Sequence, residues 1–126
     1  MPRVIHFEIP AANAEKVVKF YSDLFDWKIQ KWGSEFDYWL VTTGEAPEMG
    51  IDGAITPKQG PFQTTVNTIG VGNIDEYIEK AQAAGGKMVG EKTAIEGIGY
   101  VAYFTDPDGN MFGIHEPNTH AKYHEG

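Results

Sequence analysis

The chain has 126 residues, of which 41% are hydrophobic and 22% charged, with no cysteine. This length predicts one domain able to fold without disulfides or metal, and the missing thiols exclude zinc–thiolate sites and cysteine nucleophiles. Ten Lys and Arg against 18 Asp and Glu give a net charge of −8, which argues against nucleic acid and anionic membranes and favours a cationic small molecule as partner.

Residues 4–9, VIHFEI, are β-branched and aromatic and close on Pro10, which predicts a strand. Asn13 is placed as an N-cap, and Ala14, Val17, Val18, Tyr21 and Leu24 follow at the spacing of an amphipathic helix. Three extended runs come next, WKIQKW, FDYWLVTT and GIDGAI, separated by turn material at Gly33-Ser34 and in GEAPEMG. The second half repeats the order. TTVNTIGV reads as a strand, Asn73 as an N-cap, and Ile74, Tyr77, Ile78, Ala81 and Ala84 as a helix face that ends at Gly85-Gly86. KMVGEK, YVAYFT and NMFGIHE complete the set, with the turn Asp106-Pro107-Asp108-Gly109 joining the last two as a hairpin. An offset of 60 superposes Asn13 on Asn73, Ile9 on Ile69 and Gly53 on Gly113. The reading is therefore an internal duplication in an α+β fold, with two βαβββ modules (about 3–58 and 63–116) and a tail over 117–126, all within one domain, 1–126.

No apolar run reaches the roughly 20 residues of a membrane span, and residues 1–10 lack the features of a signal peptide, so the expected compartment is cytoplasmic. HExxH, GxSxG, P-loop and dinucleotide-binding motifs are all absent from the sequence. The paired carboxylates of Asp106 and Asp108 sit at turn spacing and read as structural. His120 and His124 would share a face on a helix, but Pro117 and the nearby chain end predict a frayed tail.

VIHFEIP, FYSDLFDWKI, AAGG and YVAYFTDPDGNMFGI, in this order, resemble the vicinal oxygen chelate superfamily, which includes lactoylglutathione lyases, bleomycin and fosfomycin resistance proteins and extradiol dioxygenases. The likeness covers about residues 3–116 and is greatest for the lactoylglutathione lyase-related, hydroxylase-C-like branch. It implies curved, antiparallel-rich sheets around a cleft, and a homodimer. It also implies four metal-ligand positions, which fall here on His6, Gly53, Val66 and Gly113. Only His6 has a donor side chain, so no cofactor is expected.

The main reading is a domain that binds a small aromatic or cationic molecule in an aromatic cleft, having lost the usual metal site. Its expected ligand-binding residues are His6, Glu8, Tyr38, Trp39, Asn67, Tyr100, Tyr103, Phe112 and His115. Trp32, Phe36 and Phe104 belong to the same aromatic clusters and divide between core and cleft. In an enzyme, His6 or His115 would be the catalytic acid–base. Two alternatives stand beside this reading. One is a metal-dependent lyase or oxygenase using a displaced set, His6, Glu8 and His115, in which strand alternation puts Glu8 on the face of His6. The other is a non-catalytic interaction domain.

Overall fold

A computed structural model describes residues 2–33 and 37–122. Ser34, Phe36 and His124, named above, lie outside the described residues. Two helices and eight strands make an α+β fold of two βαβββ modules, in the order β1 (Arg3–Ala11), α1 (Ala14–Phe25), β2 (Lys28–Lys31), β3 (Trp39–Thr42), β4 (Asp52–Pro57), then β5 (Val66–Gly70), α2 (Ile74–Ala83), β6 (Lys87–Ile95), β7 (Gly99–Thr105) and β8 (Met111–Pro117). The chain divides into two compact units, Ile5–Val66 and Asn67–Gly126, the latter joined by Met1–Val4.

In the first unit the strands run in the order β2-β3-β4-β1. β1 and β4 are parallel, while β3 is antiparallel to both β4 and β2. The crossover through α1 is what lets β1 and β4 run parallel. Asn13 caps α1, its side-chain oxygen accepting the Lys16 N–H at 3.1 Å. The helix stops where Asp26 enters the left-handed region at φ 60, a conformation that a short polar side chain tolerates. Ala11, Ala14, Val41 and Ile55 form the core between α1 and the strands, flanked by Phe7, Tyr21 and Trp27. Leu24 departs from expectation and is 56% exposed. Ten residues beyond Ala14, helical rotation has carried it to the flank of the buried stripe.

The second unit repeats the plan, with order β5-β8-β7-β6 and β5 parallel to β8. Asn73 accepts the Glu76 N–H at 3.0 Å. The Glu116 carboxylate adds a second cap, accepting the Ile74 N–H at 2.9 Å. Val71, Ile74, Ala102, Phe104 and Ile114 form the core. Gly85, at φ 101, ends α2, and the Gly86 N–H reaches back to the Ala81 carbonyl at 2.8 Å. The turn after β7 is built on Asp106, whose Oδ1 accepts the Asp108 and Asn110 N–H groups, both at 2.9 Å. The Asn110 side chain, followed by its backbone N–H, holds the Asp106 carboxyl below its usual range. The Asp106 carboxylate therefore serves the turn, to which Asp108 contributes its backbone N–H.

The tail corrects the expectation of fraying as far as Ala121. Ala121 is buried, and its carbonyl accepts the Gly97 N–H at 3.1 Å, while the Asn118 N–H donates to the Ile98 carbonyl at 2.8 Å. The outer strand of each unit is interrupted or short. β6 shifts register between Val89 and Thr93, around Gly90 at φ 75, and β2 has four residues with lysine at both ends.

Candidate functional site

Strand alternation sorts the predicted site residues by face. In the first unit Phe7, Ile9 and Ala11 turn toward α1. His6, Glu8 and Pro10 therefore share the opposite face. The parallel register sets Asp52 beside His6, Ala54 beside Glu8 and Thr56 beside Pro10. Glu8 is 8% exposed, the one charged residue among the buried polar residues described. Burial, followed by the negative charge of Glu8, pushes the Tyr38 phenol up to about 12. His6, Glu8 and Tyr38 thus belong to one polar region of this unit. Trp39 does not join them. It packs on the α1 side, donates its indole N–H to Asp37 Oδ1 at 3.2 Å, and lies 5.7 Å beneath the Lys31 ammonium. Asp52 Oδ1 accepts from the Thr43 N–H at 2.9 Å, which ties it to the loop before β4.

In the second unit Ile69 and Val71 turn toward α2, which leaves Thr68 on the other face, where it pairs with Gly113. His115 and Tyr103 share that face, Tyr103 standing opposite Gly113 and Val101 opposite His115. Tyr100 and Phe112 pack instead on the α2 side, with Phe112 stacked on Phe104 at 5.7 Å. Lys92 lies 5.2 Å over the Tyr100 ring. Asn67 is exposed and lies opposite Phe112, on the α2 side of its strand. The predicted aromatic lining is accordingly corrected: Trp39, Tyr100 and Phe112 serve the cores, and Tyr38 and Tyr103 remain beside the polar residues.

His115 Nε2 and Thr68 Oγ1 are buried without a hydrogen-bond partner among the described residues, as is Thr56 Oγ1 in the first unit. Burial holds the His115 imidazole below its ordinary 6.5, and the Glu116 charge opposes this. The ring occupies space left by Gly99, where a Cβ would stand 2.8 Å from Nε2. Thr56 and Thr68 were missed in the sequence. Each adjoins an isoleucine packed on the helix side, Ile55 or Ile69, so period-two alternation alone places them on the opposite face.

The strand registers also move one ligand position. Glu8 pairs with Ala54, and Thr68 with Gly113. Glu8 and Thr68 are 60 apart, but Ala54 and Gly113 are 59 apart. Gly53 is thus matched by Phe112, on the helix side, where a Cβ would run into the carbonyl and ring of Phe7. At Gly113 a Cβ would stand 3.0 Å from the Tyr103 ring and 3.1 Å from Thr68 Oγ1. The positions corresponding to metal ligands are His6, Ala54, Val66 and Gly113, and three of them have no donor side chain. The donor set does not fit a divalent ion. Among the described residues no three His, Cys, Asp or Glu form a metal-holding group.

Two cavities lie within single units. One of about 330 Å³ is bounded by the 43–52 loop, and one of about 290 Å³ by Ile69, Tyr77, Ala81, Phe112 and their neighbours. Neither is lined by His6, Glu8 or His115.

Duplicated βαβββ modules with helices capped in the same way define the class of fold. The chain matches the Glyoxalase/Bleomycin resistance protein/Dioxygenase superfamily over residues 3–114 and belongs to that superfamily. A superfamily member from Vibrio splendidus 12B01 superposes with a TM-score of 0.65 at 14% identity, covering 94% of this chain and 100% of that one. Methylmalonyl-CoA epimerase from Mycobacterium tuberculosis gives 0.65 at 16%, covering 91% and 87%. The Mn(II)-bound glyoxalase from Novosphingobium aromaticivorans gives 0.60 at 18%, covering 100% of this chain and 43% of that one. At these identities the likeness is one of fold. No curated protein sequence matches the chain. Among the described residues no helix is long and apolar enough to cross a membrane.

Proposed function

We propose that this chain is a small-molecule-binding member of the superfamily that works without the family's divalent metal, and that its ligand is a cationic aromatic molecule. The observation that carries this reading is the buried carboxylate of Glu8, on the strand face of His6, whose negative charge adds to burial in raising the Tyr38 phenol. A carboxylate in a low-dielectric setting attracts a cation more strongly than one in water, and phenol rings add cation–π attraction. The missing donors at Ala54, Val66 and Gly113 support the metal-independent part. Proton transfer to or from a bound molecule falls to His6 or His115, the latter kept neutral at pH 7 by burial.

Thermal shift with benzyltrimethylammonium and its uncharged carbon isostere tests the charge. The cation is expected to raise Tm and the isostere not to, with the rise lost in Glu8→Gln. Equal shifts from both probes, or none, would overturn the cationic ligand. Metal analysis of untagged protein tests the other half: about one equivalent of tightly held divalent ion per chain, lost in His6→Ala, would overturn metal independence.

A further inference from the structure

We infer that the cavity between α2 and the strands β5 and β8 is a binding site for a small aromatic carboxylate, its ring set against Ala81 and its carboxylate on Lys80. The site lies wholly within the second unit, on the helix side of the strands, and is independent of the residues that carry the ligand reading above.

The first unit shows what this space is shaped for. There Tyr21 and Trp27 flank the core as a stacked pair, ring centroids 5.1 Å apart and planes 8° from parallel, and Phe20 meets Tyr21 edge-on at 5.1 Å. The offset of 60 that relates the two helices sets Ala81 at the place of Tyr21 and Lys80 at the place of Phe20. Ile29, Val41 and Gly53 pair across three strands as Met88, Phe104 and Phe112 do. Gly86, two residues before Met88, therefore stands where the first unit has Trp27. It keeps the neighbour this predicts, since a Cβ on Gly86 would stand 3.0 Å from the Ala81 carbonyl. A stacked pair of rings has thus been exchanged for a methyl group and a hydrogen atom. The cavity of about 290 Å³ lies against Ala81, walled by Ile69, Phe112 and Ile114 of the strands. Tyr77, larger than the Val17 it replaces, borders the space without closing it. An apolar cavity of about 150 Å³ is enough for benzene, so this one admits a ring that bears a short arm.

Charge selects the arm. Lys80 is the one charged residue among the described residues that line the cavity, and its ammonium stands 4.8 Å from the centroid of the Tyr77 ring. It pairs with Glu76 at 2.9 Å, but both side chains are largely exposed, so exchanging that partner for a ligand carboxylate costs little. On a chain of net charge −8 an anion gains nothing from the overall field. Affinity therefore rests on burial of the ring first and on Lys80 second.

Amide NMR titration of the full chain with phenylacetate should give saturable shifts centred on Ile69, Ala81, Phe112 and Ile114, with a Kd of about 1 mM or tighter, as suits so small a ligand. Neutral phenylacetamide should bind about threefold more weakly, and Lys80→Gln should bring phenylacetate to that level while leaving the amide unchanged. Ala81→Tyr, which returns the ring of the first unit, should abolish binding of both probes and raise Tm. Ala81→Met fills the same space with a flexible chain, so it folds even where tyrosine is too large, and should weaken both probes by about tenfold or more. Shifts that stay linear or scatter over the surface, binding that survives the Ala81 variants, or a Lys80→Gln chain that separates the two probes as the wild type does would each overturn the inference.

Discussion

Over ten residues, 11–20 and 71–80, the two modules share one burial pattern position by position. Both start from a buried residue before an asparagine cap and bury the first helical residue, Ala14 or Ile74. Over that stretch what turns inward has been kept, and what turns outward has diverged. α2 presents charge to water and takes a second cap from Glu116, whereas α1 presents Phe20 and Leu24 and has Pro57 at the place of Glu116. A duplicated unit must retain its packing stripe to fold, while its free face can acquire a separate use.

The largest expected effect separates the two last-strand glycines. Gly53→Ala drives a Cβ into the Phe7 backbone carbonyl, which cannot give way, and should cost about 3 kcal/mol by urea denaturation. Gly113→Ala meets the Tyr103 ring and the Thr68 hydroxyl, which can shift, and should cost about 1 kcal/mol. Equal losses would mean that the one-residue difference between the modules is wrong.

The caps come next. Glu116→Ala leaves the Ile74 N–H without its carboxylate and should cost about 1–2 kcal/mol. Asn13→Ala should cost about 1 kcal/mol on α1. A loss at Asn13 larger than at Glu116 would invert the contrast.

Smaller effects appear on titration. The His115 pKa is depressed on folding, so its contribution to stability is present above 6.5 and is lost as pH falls through the folded value. Tm should therefore fall between pH 7 and pH 5 less steeply in His115→Asn than in the wild type; identical slopes would remove His115 as the cause. Tyr38 shifts the other way. Its contribution is complete below pH 10 and is lost as pH rises toward about 12. Ultraviolet titration of the six tyrosines should find one ionising near pH 12, and earlier in Glu8→Gln.

The features legible in the sequence were those set by short-range periodicity and capping. Asn13, Asn73, the turn at Asp106 and the helix faces, apart from the exposed Leu24 and Ala84 at their C-terminal ends, followed from local rules. The facing of strand residues did not, because it depends on pairing across the sheet, and a one-residue difference exchanges the two faces. The offset of 60 holds through β1, β5 and both helices and becomes 59 on the last strand, so Gly53 was assigned to the face of His6 when Ala54 occupies it. Trp39, Tyr100 and Phe112 were assigned to a cleft for the same reason. The seat of Ala121 on the Gly97 turn is a tertiary contact between distant residues, and no local rule announces it.

The outer strands bear on how the protein behaves in bulk. Fibril growth adds one extended backbone to another along a long, flat row of free amides and carbonyls. At β6 the bulge around Gly90 breaks that row, and at β2 the row is four residues long with a positive charge at each end. Both outer strands therefore make poor templates, and a concentrated stock kept under native conditions should bind no thioflavin. Straightening β6 by deleting two residues of Gly90–Lys92, the excess of the Val89–Thr93 stretch over Val101–Tyr103, should raise thioflavin binding of the same stock.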